Sequence, residues 1–413
     1  LRLLVVSQYF WPEDFRINEL VSELSGRGHM VTVLTGKPNY PSGVVFPEFA
    51  ADPARFSSYA GARIIRASML PRGQGKLRLL LNYVSFAIGA TIAGWLALRD
   101  EQFDAIFVFE PSPVTVGLPA LALRATRGWP VAFWVLDQWP DSLRAVGVVR
   151  SARLLSLVGM LVRAIYSRCD VILSPSRLLL PQISKYAGPR QRVEYFPNWA
   201  EAGYAAASVN AAPEVPLAPG VFSVMFAGNI GEAQDFPAIL DAAERLAARA
   251  DIRWLVVGDG RVAPWVRAEI IRRGLEERVL MLGRYPSERM PSFFQHADAL
   301  LVSLKPEPIF AMTSPGKIQS YLAFGRPVLA MLDGEGATVI EEAGAGLTSA
   351  AGNGERLADN VVRLAAMSST ARTAMGHAGA AHAAREFARP VLVDRLEGWL
   401  HDMINSTHAR GPS

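Results

Sequence analysis

The chain has 413 residues, half of them hydrophobic, and a formal net charge of +4, enough length and apolar material for two domains or slightly more. Its single cysteine, Cys169, excludes an internal disulfide and any cysteine-cluster metal site; with no secretory signal, a reducing cytosolic compartment is expected. The charge is unevenly spread: residues 1–200 hold 22 Lys and Arg against 14 Asp and Glu, whereas residues 201–413 hold 20 against 24. A basic first half suits nucleic acid, anionic lipid or a phosphorylated substrate.

Leu1–Val6 is apolar but six residues long, so it reads as a first strand and not a signal peptide. Val31–Thr35, Ala105–Phe109, Val131–Leu136 and Val171–Leu173 are further short apolar runs, with helical patterns such as Ile17–Arg27 and Val114–Arg127 between them. Strands alternating with helices imply a parallel sheet covered on both faces, here over residues 1–196. Residues 197–220 lose the periodicity and read as a linker rich in Ala, Pro, Gly and Val. A second alternation fills residues 221–388, with strands at Phe222–Ala227, Arg253–Val257, Val279–Leu282, Ala299–Val302 and Val328–Met331. Within residues 389–413, Val391–Ile404 is an amphipathic helix placed to cross back to the first domain. The expected fold is α/β, two doubly wound Rossmann-like domains, with ligand sites at the C-terminal strand ends facing the cleft.

Two stretches of the first domain stand out. Leu77–Leu98 is almost wholly apolar and long enough for a membrane span, but it carries Gly89 and Gly94 and sits where a crossover helix is needed. A buried or interfacial helix is the better reading. Ahead of it, Arg63, Arg66, Arg72, Lys76 and Arg78 occur with no acidic residue between them, and Arg150–Arg168 alternates arginines with apolar residues. Apolar helices flanked by cations suit an anionic membrane surface. Core helices with snorkelling arginines are the plainer alternative. Nucleic acid is disfavoured, because no recognition module accompanies the basic residues.

The stretch Thr313–Val328, TSPGKIQSYLAFGRPV, reads as a loop, a short helix and the start of a strand at Arg326–Met331. Thr313, Ser314, Pro315 and Gly316 suit a helix start with a hydroxyl cap; Ile318, Tyr321 and Leu322 share an apolar face, and Gly325 ends the helix. Backbone amides, the helix dipole and Lys317 would converge there as an anion site. Taken alone, the stretch fits an ordinary crossover helix better. Gly228-Asn229-Ile230-Gly231 follows a strand and lets a phosphate approach backbone amides. Gly258-Asp259-Gly260 also follows a strand, but Asp-Gly pairs are common turns. His29 reads as a turn residue, the other histidines show no metal-ligand spacing, and no Asp-x-Asp occurs, so no metal is expected.

Taken together, SQYFWPEDFRINELVSELSGRGHMVTVLTGKPNYPSG, PSPVTVGLPALALRA, FWVLDQWPDSL, Pro197 to Trp199, FAGNIGEAQDF, VVGDGR, LGRYPSERMPSFFQHAD and PGKIQSYLAFGRPVLA resemble the signatures of family 4 retaining glycosyltransferases. LDQWPDSL and the PGKIQSYLA helix resemble the WbuB-like subgroup that builds bacterial O-antigen, capsule or exopolysaccharide. The resemblance implies a GT-B fold, a nucleotide-sugar donor in the second domain, an acceptor in the first, and retention at the anomeric carbon without a metal or other cofactor.

Carried over residue by residue, it also implies departures. The family's glutamate pair falls on Met312 and Ser320: Ser320 still suits a ribose hydroxyl, and Met312 suits a less polar sugar face, such as that of an N-acetylated deoxy sugar. The usual Arg and Lys on the diphosphate fall on Asn229 and Gln234, both neutral. That leaves Lys317 to neutralise the leaving diphosphate, with Arg284 a second candidate and the amides of Gly228, Gly231 and Gly316 in support. Thr313 and Ser314 complete the expected donor loop. On the acceptor side, Asp137 orients or deprotonates the acceptor hydroxyl, or is merely a helix cap; Trp139, Glu13 and Asp14 are expected beside it, and Glu110 either assists or is a loop residue. In a front-face mechanism the departing phosphate oxygen takes the proton, so no protein nucleophile is required.

The expected function is transfer of a sugar from a nucleotide diphosphate, UDP favoured, to a polyprenyl-diphosphate-linked acceptor. The enzyme would sit on the cytoplasmic face of the inner membrane. A GT-B nucleotide-sugar epimerase and a non-catalytic nucleotide-sugar-binding scaffold are the rival readings.

Overall fold

A computed structural model describes residues 1–73, 75–145, 149, 151–189, 191–201, 203–204 and 210–410. Arg150 and residues 202 and 205–209 of the expected linker lie outside the described residues. The chain divides into two units, one formed by Leu1–Phe196 with Val393–Ser413 and the other by Pro197–Leu392.

The first unit holds an eight-stranded sheet: β1 (Arg2–Ser7), β2 (Met30–Thr35), β3 (Ser58–Tyr59), β4 (Ala62–Arg66), β5 (Ala105–Glu110), β6 (Val131–Val135), β7 (Val171–Ser174) and β8 (Arg192–Tyr195). Its order is β3-β4-β2-β1-β5-β6-β7-β8, parallel except for the β3–β4 pair. The central strands are buried on both faces, which is why each reads as an unbroken apolar run. Strand β3 and strand β8 close the two edges, where one side chain in two can stay wet; SY and RVEY therefore carry no apolar run for a sequence reading to find.

The second unit holds β9 (Phe222–Ala227), β10 (Ile252–Val257), β11 (Val279–Gly283), β12 (Ala299–Ser303), β13 (Val328–Met331) and β14 (Gly346–Ser349), all parallel, in the order β11-β10-β9-β12-β13-β14. Alternate residues feed two cores. Phe222, Val224 and Phe226 enter one, and Met225 and Ala227 the other, together with Ile318, Tyr321 and Leu322 of the helix Gly316–Phe324. The strand order reverses between β9 and β12. At such a switch point the loops leaving the C-terminal strand ends part and open a crevice.

The helix Arg389–Arg410 belongs mostly to the first unit. Arg27 Nη1 donates to Asp394 Oδ1 at 2.5 Å and to Glu397 Oε2 at 2.9 Å, and His29 Nε2 lies 2.5 Å from Glu397 Oε1. His29 is thus a clasp for this helix. The apolar stretch forms the helix Lys76–Ala97, with Tyr83, Phe86, Ala87, Ala90 and Gly94 buried on one face. Leu77, Leu80, Val84, Ile88, Ile92 and Trp95 are exposed on the other. The expected basic cluster beside it is smaller than the sequence suggested. Arg66 is half-buried, donating to the carbonyls of Gly36 and Trp11, and Arg63 pairs with Glu101 at 2.6 Å.

Candidate active site

In the second unit a cavity of about 900 Å³ opens beyond the C-terminal ends of β9 and β10. Its floor is Gly228 and Asn229 after β9 and Gly258, Asp259 and Gly260 after β10; Arg284 and Tyr285 flank it, and Lys317, Ser320 and Tyr321 enter from the helix Gly316–Phe324. The two glycine loops interlock. Gly228 N donates to Val257 O at 2.9 Å, and Ile230 N to Asp259 O at 2.9 Å. At Gly258, with φ of +146°, a Cβ would overlap the Gly228 carbonyl oxygen; at Gly260 it would overlap that of Ile230. The Gly-Asp-Gly turn is therefore part of the cavity floor and not an incidental turn, a role only the contact between distant loops reveals. Tyr321 fixes the same floor from below: its hydroxyl accepts from Ala227 N and donates to Ala227 O, each at 3.1 Å.

Lys317 is the unusual group. Its Nζ is buried without a hydrogen-bond partner, 4.0 Å from the centroid of the Phe226 ring and 3.2 Å from where a Gly228 Cβ would stand. Burial alone pulls the ammonium down to about 7. A buried ammonium held only by a ring face is costly, and an anion entering the cavity would supply the missing partner.

Several expected donor residues stand elsewhere. Gln234 turns back so that its Oε1 accepts from Gly231 N at 3.1 Å, which occupies both the side chain and the amide predicted to meet a diphosphate. Met312, Thr313, Ser314 and Gly316 do not line the cavity. Thr313 Oγ1 donates to Phe310 O at 3.2 Å, the helix starts after Pro315 with no side-chain cap, and the following strand begins at Val328. Gly228, Asn229, Arg284, Lys317 and Ser320 do line it. Sequence reasoning missed Tyr285 and the Glu201–Tyr204 pair, where Tyr204 Oη also donates to Ser287 O at 3.1 Å.

The first unit brings Glu110 and Asp137 together at the ends of β5 and β6. Asp137 N donates to Glu110 Oε2 at 3.3 Å, and Asp137 Oδ2 accepts from Trp139 Nε1 at 3.0 Å. Glu110 is wholly buried, its Oε1 has no partner, and burial together with the Asp137 charge holds its carboxyl well above the usual range. It is the last residue of a strand, not a loop residue. Glu13 is corrected more sharply. Its carboxylate accepts from the amides of Phe10 (3.2 Å), Asn39 (2.8 Å) and Tyr40 (2.7 Å), so it staples two loops, and at 2% exposure it is buried away from an acceptor. Asp14 is exposed. No group of three or more His, Cys, Asp or Glu able to hold a metal occurs among the described residues.

The floor makes a mutational forecast. Gly258→Ala should cost about 1–3 kcal/mol through overlap with the Gly228 carbonyl. Gly274→Ala meets nothing within 4 Å at a φ of +64°, so it reports backbone strain alone. Thermal unfolding of both variants separates overlap from strain.

Residues 15–199 match the family described as glycosyl transferase 4-like domain, and residues 222–367 match glycosyl transferases group 1. A protein of Escherichia coli K12, the putative colanic acid biosynthesis glycosyl transferase WcaI, is 26% identical over 341 residues, covering 79% of this chain and 82% of its own length. Sucrose-phosphate synthase from Thermosynechococcus elongatus superposes with a TM-score of 0.72 at 14% identity, covering 98% of this chain and 99% of that one. HepE from Anabaena, in complex with UDP and glucose, gives 0.65 at 13%, covering 97% and 99%. At such identities the structural likeness carries the fold alone, two parallel-sheet α/β domains of the GT-B type.

Proposed function

We propose, for a chain that belongs to the glycosyltransferases with 4-like and group 1 domains, transfer of a sugar from a UDP-sugar to a polyprenyl-diphosphate-linked acceptor in bacterial surface polysaccharide synthesis. The observation that carries the donor half is Lys317, a buried cation lacking a partner in a cavity floored by glycine loops. The diphosphate accepts from Lys317 beside the Gly228 turn, whose own amide, expected to assist, is spent on Val257 O; Ser320 meets the ribose, and Arg284 stands at the mouth. The relatives add support: HepE is described in complex with UDP, and WcaI as a colanic acid glycosyl transferase.

The reaction breaks the anomeric C–O bond to the diphosphate and forms one to the acceptor oxygen, with retention. Lys317 neutralises the charge that develops on the leaving phosphate, and Asp137, held by Trp139 and the Glu110 carboxyl, orients the acceptor hydroxyl. The departing phosphate oxygen accepts the acceptor's proton, and no protein residue becomes a nucleophile or ligates a metal.

The enzyme works on the cytoplasmic face of the inner membrane, where the exposed apolar face of the helix Lys76–Ala97, opened by Lys76 and Arg78, meets anionic lipid. Ile88→Asp with Ile92→Asp should lower co-sedimentation with phosphatidylglycerol vesicles at least fivefold; unchanged partitioning refutes the membrane contact. Incubating the protein with a panel of UDP-sugars and lipid-linked sugars, read by mass spectrometry, tests the transfer itself. A lipid product one sugar heavier, with UDP released, is expected. Consumption of donor without acceptor would instead make it an epimerase.

A further inference from the structure

A second cavity, of about 480 Å³, lies in the first unit among Pro140, Arg144, Gly159, Arg163, Lys185 and Tyr186. Three cations line it and no carboxylate does. None of the three has a carboxylate partner among the described residues, although Asp141 is close enough to act on Tyr186 against Arg144 and Arg163. Unpaired arginines around one hollow are uncommon in a protein whose other guanidinium groups are so often bridged, as Arg27, Arg63, Arg192 and Arg273 are.

The hollow exists because of Gly159. It sits mid-helix in Ala152–Tyr166, where glycine costs about 1 kcal/mol relative to alanine. A Cβ there would lie 3.5 Å from the Tyr186 ring and 3.9 Å from Pro140 Cγ, so a longer side chain would fill the space. The same helix turns Leu154, Leu157 and Met160 outward, exposed by 47%, 56% and 58%. Their spacing puts them on one helix face, and Met160 also lines the cavity, so an apolar strip runs into a cationic hollow. A ligand that complements both is an anion with a hydrocarbon tail. The hollow follows Asp137 in the chain by three residues, through Trp139 and Pro140.

We propose that this cavity binds the diphosphate of a prenyl-diphosphate-linked acceptor, with the first isoprene units along Leu154, Leu157 and Met160. The arginines supply planar pairs of donors, Lys185 a point charge and Tyr186 a hydroxyl donor, a set suited to several phosphate oxygens at once. This assignment rests on the lipid-linked acceptor proposed above, and it locates the acceptor's anchor in the first unit, the donor cavity belonging to the second.

Farnesyl diphosphate is the probe, titrated calorimetrically into the full-length protein saturated with UDP so that the donor cavity is filled. One binding event is expected, weakened about tenfold by Arg163→Gln and by Lys185→Gln and lost in Gly159→Leu. Gly159→Ala, whose Cβ makes only ordinary contacts, should bind like the parent and shows that the helix tolerates a side chain there. Circular dichroism and UDP affinity should be unchanged in all four variants. Three results of the titration overturn the assignment: no binding with UDP present, affinity indifferent to the substitutions, or inorganic diphosphate bound as tightly as the farnesyl ester. If the substitutions weaken only binding to phosphatidylglycerol vesicles, the cavity is a membrane-headgroup site and the assignment is equally wrong. Sugar transfer to a diphosphate-linked acceptor by the parent protein is a separate readout. Its absence alongside tight farnesyl diphosphate binding would reject the transfer reading and leave the site standing.

Discussion

Lys317→Ala is expected to abolish sugar transfer, by at least about a thousandfold in kcat/KM, while the protein stays folded. The Nζ is the buried cation nearest the Gly228 turn, and no other Lys or Arg except exposed Arg284 lines the cavity. Truncation removes a desolvated charge whose Nζ has no hydrogen bond from the protein, so stability should rise or hold. The pH behaviour follows from the same burial. With the ammonium pulled down to about 7 in the folded state from 10.5, the unfolded chain binds more protons between those values. This group's contribution to stability therefore increases with pH across that window and is lowest at and below pH 7. Nucleotide binding runs the opposite way: the diphosphate needs the ammonium, so UDP affinity should fall about tenfold per unit as pH rises above 7. Lys317→Met should bind UDP weakly and show no such slope. A parent enzyme whose UDP affinity is flat from pH 7 to 9 would mean that Lys317 never meets the diphosphate.

Asp137→Asn should lower kcat by about a hundredfold or more with little change in KM for the donor, because the amide cannot take the acceptor hydroxyl's hydrogen bond in the same sense. Glu110→Gln should behave differently. Burial and the neighbouring Asp137 charge favour the neutral acid, and glutamine copies that form, including the oxygen that accepts from Asp137 N. Activity should stay within a few-fold. Because the folded carboxyl is raised above its unfolded value, the parent loses stability as pH rises from the ordinary carboxylate range through the raised one. Glu110→Gln should remove that loss and unfold at a higher temperature than the parent at pH 8. A difference in melting temperature between parent and Glu110→Gln that is the same at pH 5 and pH 8 would show that the Glu110 carboxyl is not raised, the Lys317 contribution being common to both proteins. An Asp137→Asn enzyme of normal rate would return Asp137 to a capping role.

The alternation of apolar runs and helices was enough to read two parallel α/β units, because central strands buried on both faces leave a signal that needs no context. Edge strands β3 and β8, and β14 at the far edge of the other sheet, leave none. The Lys317 helix and the Gly228 loop were legible as motifs. What the motifs could not reveal was where polar groups spend their hydrogen bonds. Glu13 meets amides 26 and 27 residues away, Gln234 folds onto its own turn, and Arg66 is claimed by two carbonyls. Each looked available in one dimension. Gly258 is the converse: its composition said ordinary turn, and only the carbonyl of Gly228 against its missing side chain makes it indispensable.

The helix Arg389–Arg410 has a consequence for the order of synthesis. The contiguous unit Pro197–Leu392 leaves the ribosome before the first unit receives Val393 and the residues beyond it. Until then Arg27, His29 and Arg192 wait without Asp394, Glu397 and Asp402, and Phe196 without Trp399 at 6.0 Å. The unit born first is thus the last to be completed, and a released chain ending at Leu392 should show a second unit resistant to protease and a first unit still open to it.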